Sequence, residues 1–225
     1  MRKILIAALL TVFSFSSVTT AFAQSYEPSV IENIKVNDVE EYTFDDILAL
    51  EPYVHVEEGL LILDENSASD AGIDYELIKG QQEYFNYLNQ QVKTNAISVS
   101  QDLTIQDLSE ENIGYQSNSL MLLADCKGVT KPAEAHWWGY KTYLNSCDTK
   151  KAITDANTVG ASGGITGAGL GVLGIFFPVL LIPGGVSALT GSYFWLFATR
   201  LDANNNGKGV IVDMTWATVF DITPQ

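Results

Sequence analysis

The chain has only two cysteines, Cys126 and Cys147, and only two histidines, His55 and His136. That count argues against a Cys/His zinc cluster, which draws four such ligands together. There is no Cys-x-x-Cys, and the nearest histidine to Cys126 is ten residues away. The cysteines therefore read as a structural disulfide in an oxidising compartment. It would close a loop of about 20 residues, worth roughly 3 kcal/mol on chain entropy. Glu57-Glu58 could do acid–base work only with a pocket and shifted pKa values, and the pattern shows neither. His55 lies within an apolar strand and reads as a satisfied histidine. Asp202-x-Asn204-x-Asn206-Gly207-x5-Asp213 has calcium-loop spacing, with Asp in place of the final Glu. A strand follows where an EF-hand needs a helix, so an Asn/Gly turn is the preferred reading. Gly169-x-Gly171-x-x-Gly174 has no strand before it and no acid about 20 residues on, so it is no nucleotide site. With no Gly-x-Ser-x-Gly, His-Glu-x-x-His or phosphate loop, the sequence predicts no enzyme, no cofactor, no metal and no small-molecule substrate.

The elements that carry these residues divide sharply by charge. Residues 24–125 hold 21 acids and three bases, a net of −18; residues 126–225 hold six acids and seven bases, a net of +1. The acidic balance argues against a nucleic-acid partner, which needs a basic face. Residues 1–23 have a basic start (Arg2, Lys3), an apolar stretch and Ala21-Phe22-Ala23 before Gln24, the layout of a secretory signal peptide. The sequence thus predicts a secreted protein or one on the extracellular face of the membrane.

In the acidic region, 24–108, Thr43-Phe44-Asp45-Asp46 has the form of a helix start. Tyr53–Val56 and Leu60–Leu63 read as a hairpin around Glu57-Glu58-Gly59. Asp74 caps a helix running to about Lys93, weakened by Gly80 by about 1 kcal/mol. Ile97 to Ile105 alternates like a strand, and 109–125 reads as a linker.

In the module 126–225, Ala135–Leu144 and Val210–Ile222 read as two aromatic strands that pair. Between them 44 residues, 156–199, carry no charge. Pro178, Pro183, Gly184 and Gly185 divide this run into Ala156–Phe177 and Gly184–Thr199, a helical hairpin whose first arm is long enough to span a bilayer. Gly163, Gly167 and Gly171, with Gly160 and Gly164, place small residues four apart on one helix face, as in helices that pack closely in lipid or self-associate. Lys150, Lys151 and Arg200 flank the run, and its central turn has no charge. Insertion from the outside, after secretion, fits that charge pattern better than co-translational insertion. A hairpin packed as a water-shielded core is the alternative.

The layout resembles a loosely defined group of small secreted proteins of Gram-positive bacteria. The residues that carry the resemblance are Pro52-Tyr53-Val54, His136-Trp137-Trp138-Gly139-Tyr140, the glycine- and alanine-rich apolar middle, and Gly207-Lys208-Gly209-Val210. They extend over about two thirds of the mature chain. The apolar middle is also similar to the hydrophobic segments of bacteriocins. No catalytic or binding residue carries over. The sequence as a whole predicts an α+β protein of two parts, a small acidic α+β region and a disulfide-bearing module of two aromatic strands flanking an apolar hairpin. Its expected partner is membrane lipid, with the acidic region as a solubilising or masking propeptide-like segment. The competing expectation is a cell-surface structural or interaction protein.

Overall fold

The computed structural model describes residues 42–108, 126–162, 171–182 and 189–225, all within one compact unit, Glu32–Gln225. The signal peptide and the linker 109–125 lie outside the described residues. The chain is α+β.

Local chemistry sets the first elements. Thr43 caps α1 (Phe44–Leu48): its Oγ1 accepts the Asp46 N–H, and the Asp46 carboxylate accepts the Thr43 N–H at 2.7 Å. β1 (Val54–Glu57) and β2 (Leu60–Leu63) pair antiparallel, joined by Glu58 and Gly59, both in the left-handed region. A short helix that the sequence reading missed, α2 (Glu65–Asp70), follows, capped by Asp64. Asp74 caps α3 (Tyr75–Lys93), the longest helix described. The expected strand at 97–105 is two strands, β3 (Ile97–Val99) and β4 (Ile105–Asp107), paired antiparallel.

Each of the two expected aromatic strands of the module is likewise a hairpin. β5 (Lys131–His136) and β6 (Gly139–Leu144) turn at Trp137-Trp138, and β7 (Val210–Thr215) and β8 (Phe220–Pro224) turn at 216–219. They form one antiparallel sheet in the order β5-β6-β7-β8. Tyr140, Thr142, Leu144, Val210, Val212 and Met214 alternate onto its buried face. Helices α4 (Ser146–Ala161), α5 (Gly171–Phe176) and α6 (Gly191–Asn204) belong to the same core. Thr142 Oγ1 donates to the Phe176 carbonyl at 2.9 Å, fixing α5 under β6. Phe177, Phe194 and Phe197 are almost wholly buried, and Phe197 meets Phe177 and Phe220 edge to face. Each such side chain contributes about 1.5–3 kcal/mol by leaving water.

The acidic region and the module share one core, tied through α3. Gln81, fully buried, donates Nε2–H to the Trp137 carbonyl at 2.8 Å and accepts from Trp216 Nε1 at 2.7 Å. Tyr84 donates its hydroxyl to the His136 carbonyl at 3.0 Å. A Cβ at Gly80 would overlap the Trp216 indole, so the glycine that weakens α3 is what lets the helix approach the β7–β8 turn.

The disulfide joins Cys126 to Cys147, as the cysteine count predicts, with the two Cα atoms 5.3 Å apart. It pins the segment entering β5 to the first turn of α4. Asn145 caps that helix, accepting the N–H groups of Cys147 and Asp148. Nearby, Gln225 Nε2 reaches the carbonyls of Val129, Leu144 and Val210, closing this end of the sheet.

Two expectations for the apolar run are corrected. Ala156–Phe177 is not one helix. α4 starts at Ser146, ten residues before the run and next to its Asn145 cap, and ends at Ala161 with Ser162 as its C-cap. Gly171 then opens α5 at φ +50°, a conformation that cannot continue a right-handed helix. Among the described residues no helix is long and apolar enough to cross a membrane. The second expected arm, Gly184–Thr199, gives way to α6, Gly191–Asn204, which runs past the charge boundary through Arg200 and Asp202.

Candidate functional site

The helix pair α4 and α6 carries the unusual surface of the molecule. The two helices run antiparallel: a Cβ at Gly160 would sit 3.1 Å from the Gly191 carbonyl oxygen, and at the opposite end Asn205 Nδ2 reaches the Ser146 carbonyl. The same Cβ would lie 2.6 Å from Trp195 Cδ1, so the indole rests on the bare backbone of Gly160. Gly160 and Gly171 lie on different helices, and Gly171 faces the Asp155 carboxylate. Gly163, Gly164 and Gly167 lie outside the described residues. At Gly160, therefore, the partner is Trp195 of the same chain.

Among the described residues, most large apolar side chains of the uncharged run are buried. Ile175, Leu181, Trp195 and Leu196 are not, with between 45% and 63% of their surface exposed. They make up four of the seven large hydrophobic side chains exposed among the described residues. Trp195 is the outlier of its kind: Trp137 is nearly buried, and Trp138 and Trp216 are partly buried. Beside Leu196, the i, i+4, i+8 row Leu196–Arg200–Asn204 of α6 and residues Val219–Ile222 line an open groove of about 360 Å³.

A second cluster lies on the other face of the sheet. Glu134, Lys141, Asp213 and Asp221 stand in one cross-strand row. Lys141 Nζ approaches Asp213 Oδ1 at 3.4 Å. Burial pushes the Asp213 carboxyl up despite that cation. His136 stacks flat on Trp138 at 4.7 Å, with its Nε2 buried and without a hydrogen bond. Burial, and then Lys141, push the His136 pKa down. These shifts follow from packing and one ion pair. Among the described residues no three His, Cys, Asp or Glu side chains gather to hold a metal ion.

The remaining sequence candidates are dispersed. His55 pairs with Glu57 at 3.3 Å on an exposed strand face, and Glu58 is in the turn. The calcium-loop spacing does not make a loop. Asp202 and Asn204 sit in α6, Asn204 Nδ2 donates to the Arg200 carbonyl, and Asp213 is in β7 beside Lys141. Its middle is an Asn/Gly turn, in which the Asn205 side chain accepts the Gly209 N–H. The groove at Arg200 was missed, because it depends on β8 lying beside α6, which no spacing in the sequence encodes.

Comparison with known protein families, with characterised proteins and with solved structures found no match.

Proposed function

We propose that this is an exported, non-catalytic protein that touches a lipid surface with the apolar end of its α4–α6 pair, while the acidic remainder stays in water. The observation that supports this reading is that Ile175, Leu181, Trp195 and Leu196, all from one run of 44 uncharged residues, are each exposed. A tryptophan half in and half out of its helix pair suits the boundary between acyl chains and water. Contact is peripheral in this reading, since Leu173, Phe176, Phe177, Val179, Leu180, Phe194 and Phe197 of the run are buried in the core and no described helix is long and apolar enough to cross a membrane. In this reading the acidic region works docked on the module, supported by the hydrogen bonds of Gln81 and Tyr84 to it and by Trp216 filling the space at Gly80.

Vesicle sedimentation with tryptophan emission tests this. The secreted protein should bind phosphatidylcholine vesicles with a blue shift that Trp195→Phe removes. Trp195→Ser with Leu196→Ser should abolish binding, with circular dichroism showing that the fold is kept despite the lost packing on Gly160. The −18 of residues 24–125 opposes anionic lipid, so salt should strengthen binding to phosphatidylglycerol vesicles. The burial of most large apolar side chains described in the run favours a second reading, a cell-surface interaction protein with those side chains as core. Absence of binding to any vesicle would put that reading in place of the first.

A further inference from the structure

Arg200 is the only arginine after Arg2. In a chain with 27 acids, its side chain makes no ion pair among the described residues. It lines the groove between α6 and β8 with Leu196, Asn204, Val219, Phe220 and Ile222. Asp221, the one acidic residue of that groove, carries its carboxylate in the row on the other face of the sheet, and its Oδ1 accepts the Ile222 N–H at 2.9 Å. That contact satisfies an outward N–H of the edge strand β8 and leaves the guanidinium its five donors.

We propose that Arg200 binds the phosphate of a phospholipid headgroup, seated over the apolar floor formed by Leu196, Val219, Phe220 and Ile222. This rests on the membrane-contact reading above and names the lipid group it recognises. Charge complementarity supports it, because an unpaired guanidinium with a planar donor fork matches two phosphate oxygens. So does the spacing along α6. Arg200 lies five residues beyond Trp195, a rise of about 7.5 Å. The headgroup layer of one leaflet is roughly 5–8 Å thick. With the N-terminal end of α6 toward the bilayer, Trp195 at the acyl boundary places Arg200 at the depth of the phosphates. A long side chain ending in charge also keeps its stem against Leu196 while its head stays wet.

The experiment compares the secreted protein with Arg200→Gln and Arg200→Lys on phosphatidylcholine vesicles, with glycerophosphocholine and inorganic phosphate as soluble competitors. Arg200→Gln should weaken binding roughly tenfold, the loss of a charge-assisted pair of hydrogen bonds. Arg200→Lys should fall between, because an ammonium keeps the charge without the fork. Vesicles of a phosphate-free glycolipid should bind the protein and Arg200→Gln equally. Soluble phosphates at millimolar concentration should not displace the protein. Unchanged binding of Arg200→Gln to phosphatidylcholine would overturn the phosphate assignment and leave membrane contact standing. Displacement by inorganic phosphate would overturn it in favour of a site for the free anion. Failure of the unaltered protein to bind any vesicle removes both. Circular dichroism and the thermal midpoint of each variant show whether a loss reflects unfolding, and Arg200→Lys keeps the test decisive if Arg200→Gln proves unstable.

Discussion

The acidic region and the module hold to the sheet by different means. α3 reaches it with directional polar contacts, Gln81 to Trp137 and Trp216, and Tyr84 to the His136 carbonyl. α6 meets its buried face with interlocking aromatic rings, Tyr193, Phe194 and Phe197 with Phe177 and Phe220. Hydrogen bonds of this kind contribute about 1 kcal/mol each but demand one geometry, whereas ring burial contributes more and tolerates more. The difference teaches that the charge boundary in the sequence marks surface chemistry and not a boundary of the core. The described acids of residues 42–108 are exposed, apart from the half-buried Glu83, while the inner face of α3 is as buried as that of α6.

The largest effect should come from the aromatic side. Phe197→Ala removes a fully buried ring from contact with Phe177 and Phe220 and should cost about 3–5 kcal/mol in urea unfolding. Because α3 shares the core, loss of structure should follow one transition by near- and far-ultraviolet signals alike. A loss under 1 kcal/mol would mean that the aromatic layer is not what holds α6 to the sheet.

The polar side should give a smaller effect of unusual sign. Ala exceeds Gly in helix propensity by about 1 kcal/mol, so Gly80→Ala should stabilise a free α3. Here the added methyl meets the Trp216 indole and must push the β7–β8 turn away. The net change should be a loss of about 1–3 kcal/mol, with a red shift of the Trp216 emission. Stabilisation by Gly80→Ala would show that α3 docks loosely and that the two regions behave as separate folding units.

These contacts also explain which parts of the fold the sequence reveals. Helix caps and the first hairpin are local events, so Thr43 with Asp46, Asp74, and Glu58-Gly59 announce them directly. The two turns that double the strand count are not local. Thr218, β-branched and at φ +62°, carries no turn signal. Its turn is held by Tyr193, whose hydroxyl donates to the Thr218 carbonyl, and by the Trp216 N–H donating to the Trp138 carbonyl. Trp137-Trp138 has the pattern of a strand and turns because Gln81 takes its carbonyl. The exposed set of the candidate site has the same origin. Composition marks the run as apolar, but which of its side chains face water depends on how α4, α5 and α6 pack.

The smallest effect concerns the outer face of the sheet, where His136 reports whether the Trp138 stack is a packed feature or a loose one. Its ring is partly buried, with Lys141, Glu134 and Asp213 as its charged neighbours. Burial and Lys141 favour the neutral imidazole and outweigh the two carboxylates, so the folded chain takes up a proton less readily than the unfolded chain, whose histidines titrate near 6.5. Stability is therefore flat above about pH 6.5 on this account and declines as the pH falls below that value, where only the unfolded state binds the proton. Asp213 works the other way. Burial raises its carboxyl above 3.8, so the folded state binds that proton first and gains stability as the pH falls toward 4. The histidine should dominate between pH 6.5 and 5.5, nearer its own titration. His136→Phe keeps a ring on Trp138 without a titrating nitrogen, and the decline over that interval should disappear. Replacing Lys141 by Met should shrink the decline by removing the cation that adds to the burial. A decline that persists unchanged in His136→Phe would assign it to other titrating groups and separate the pH response of the protein from the stack on its sheet.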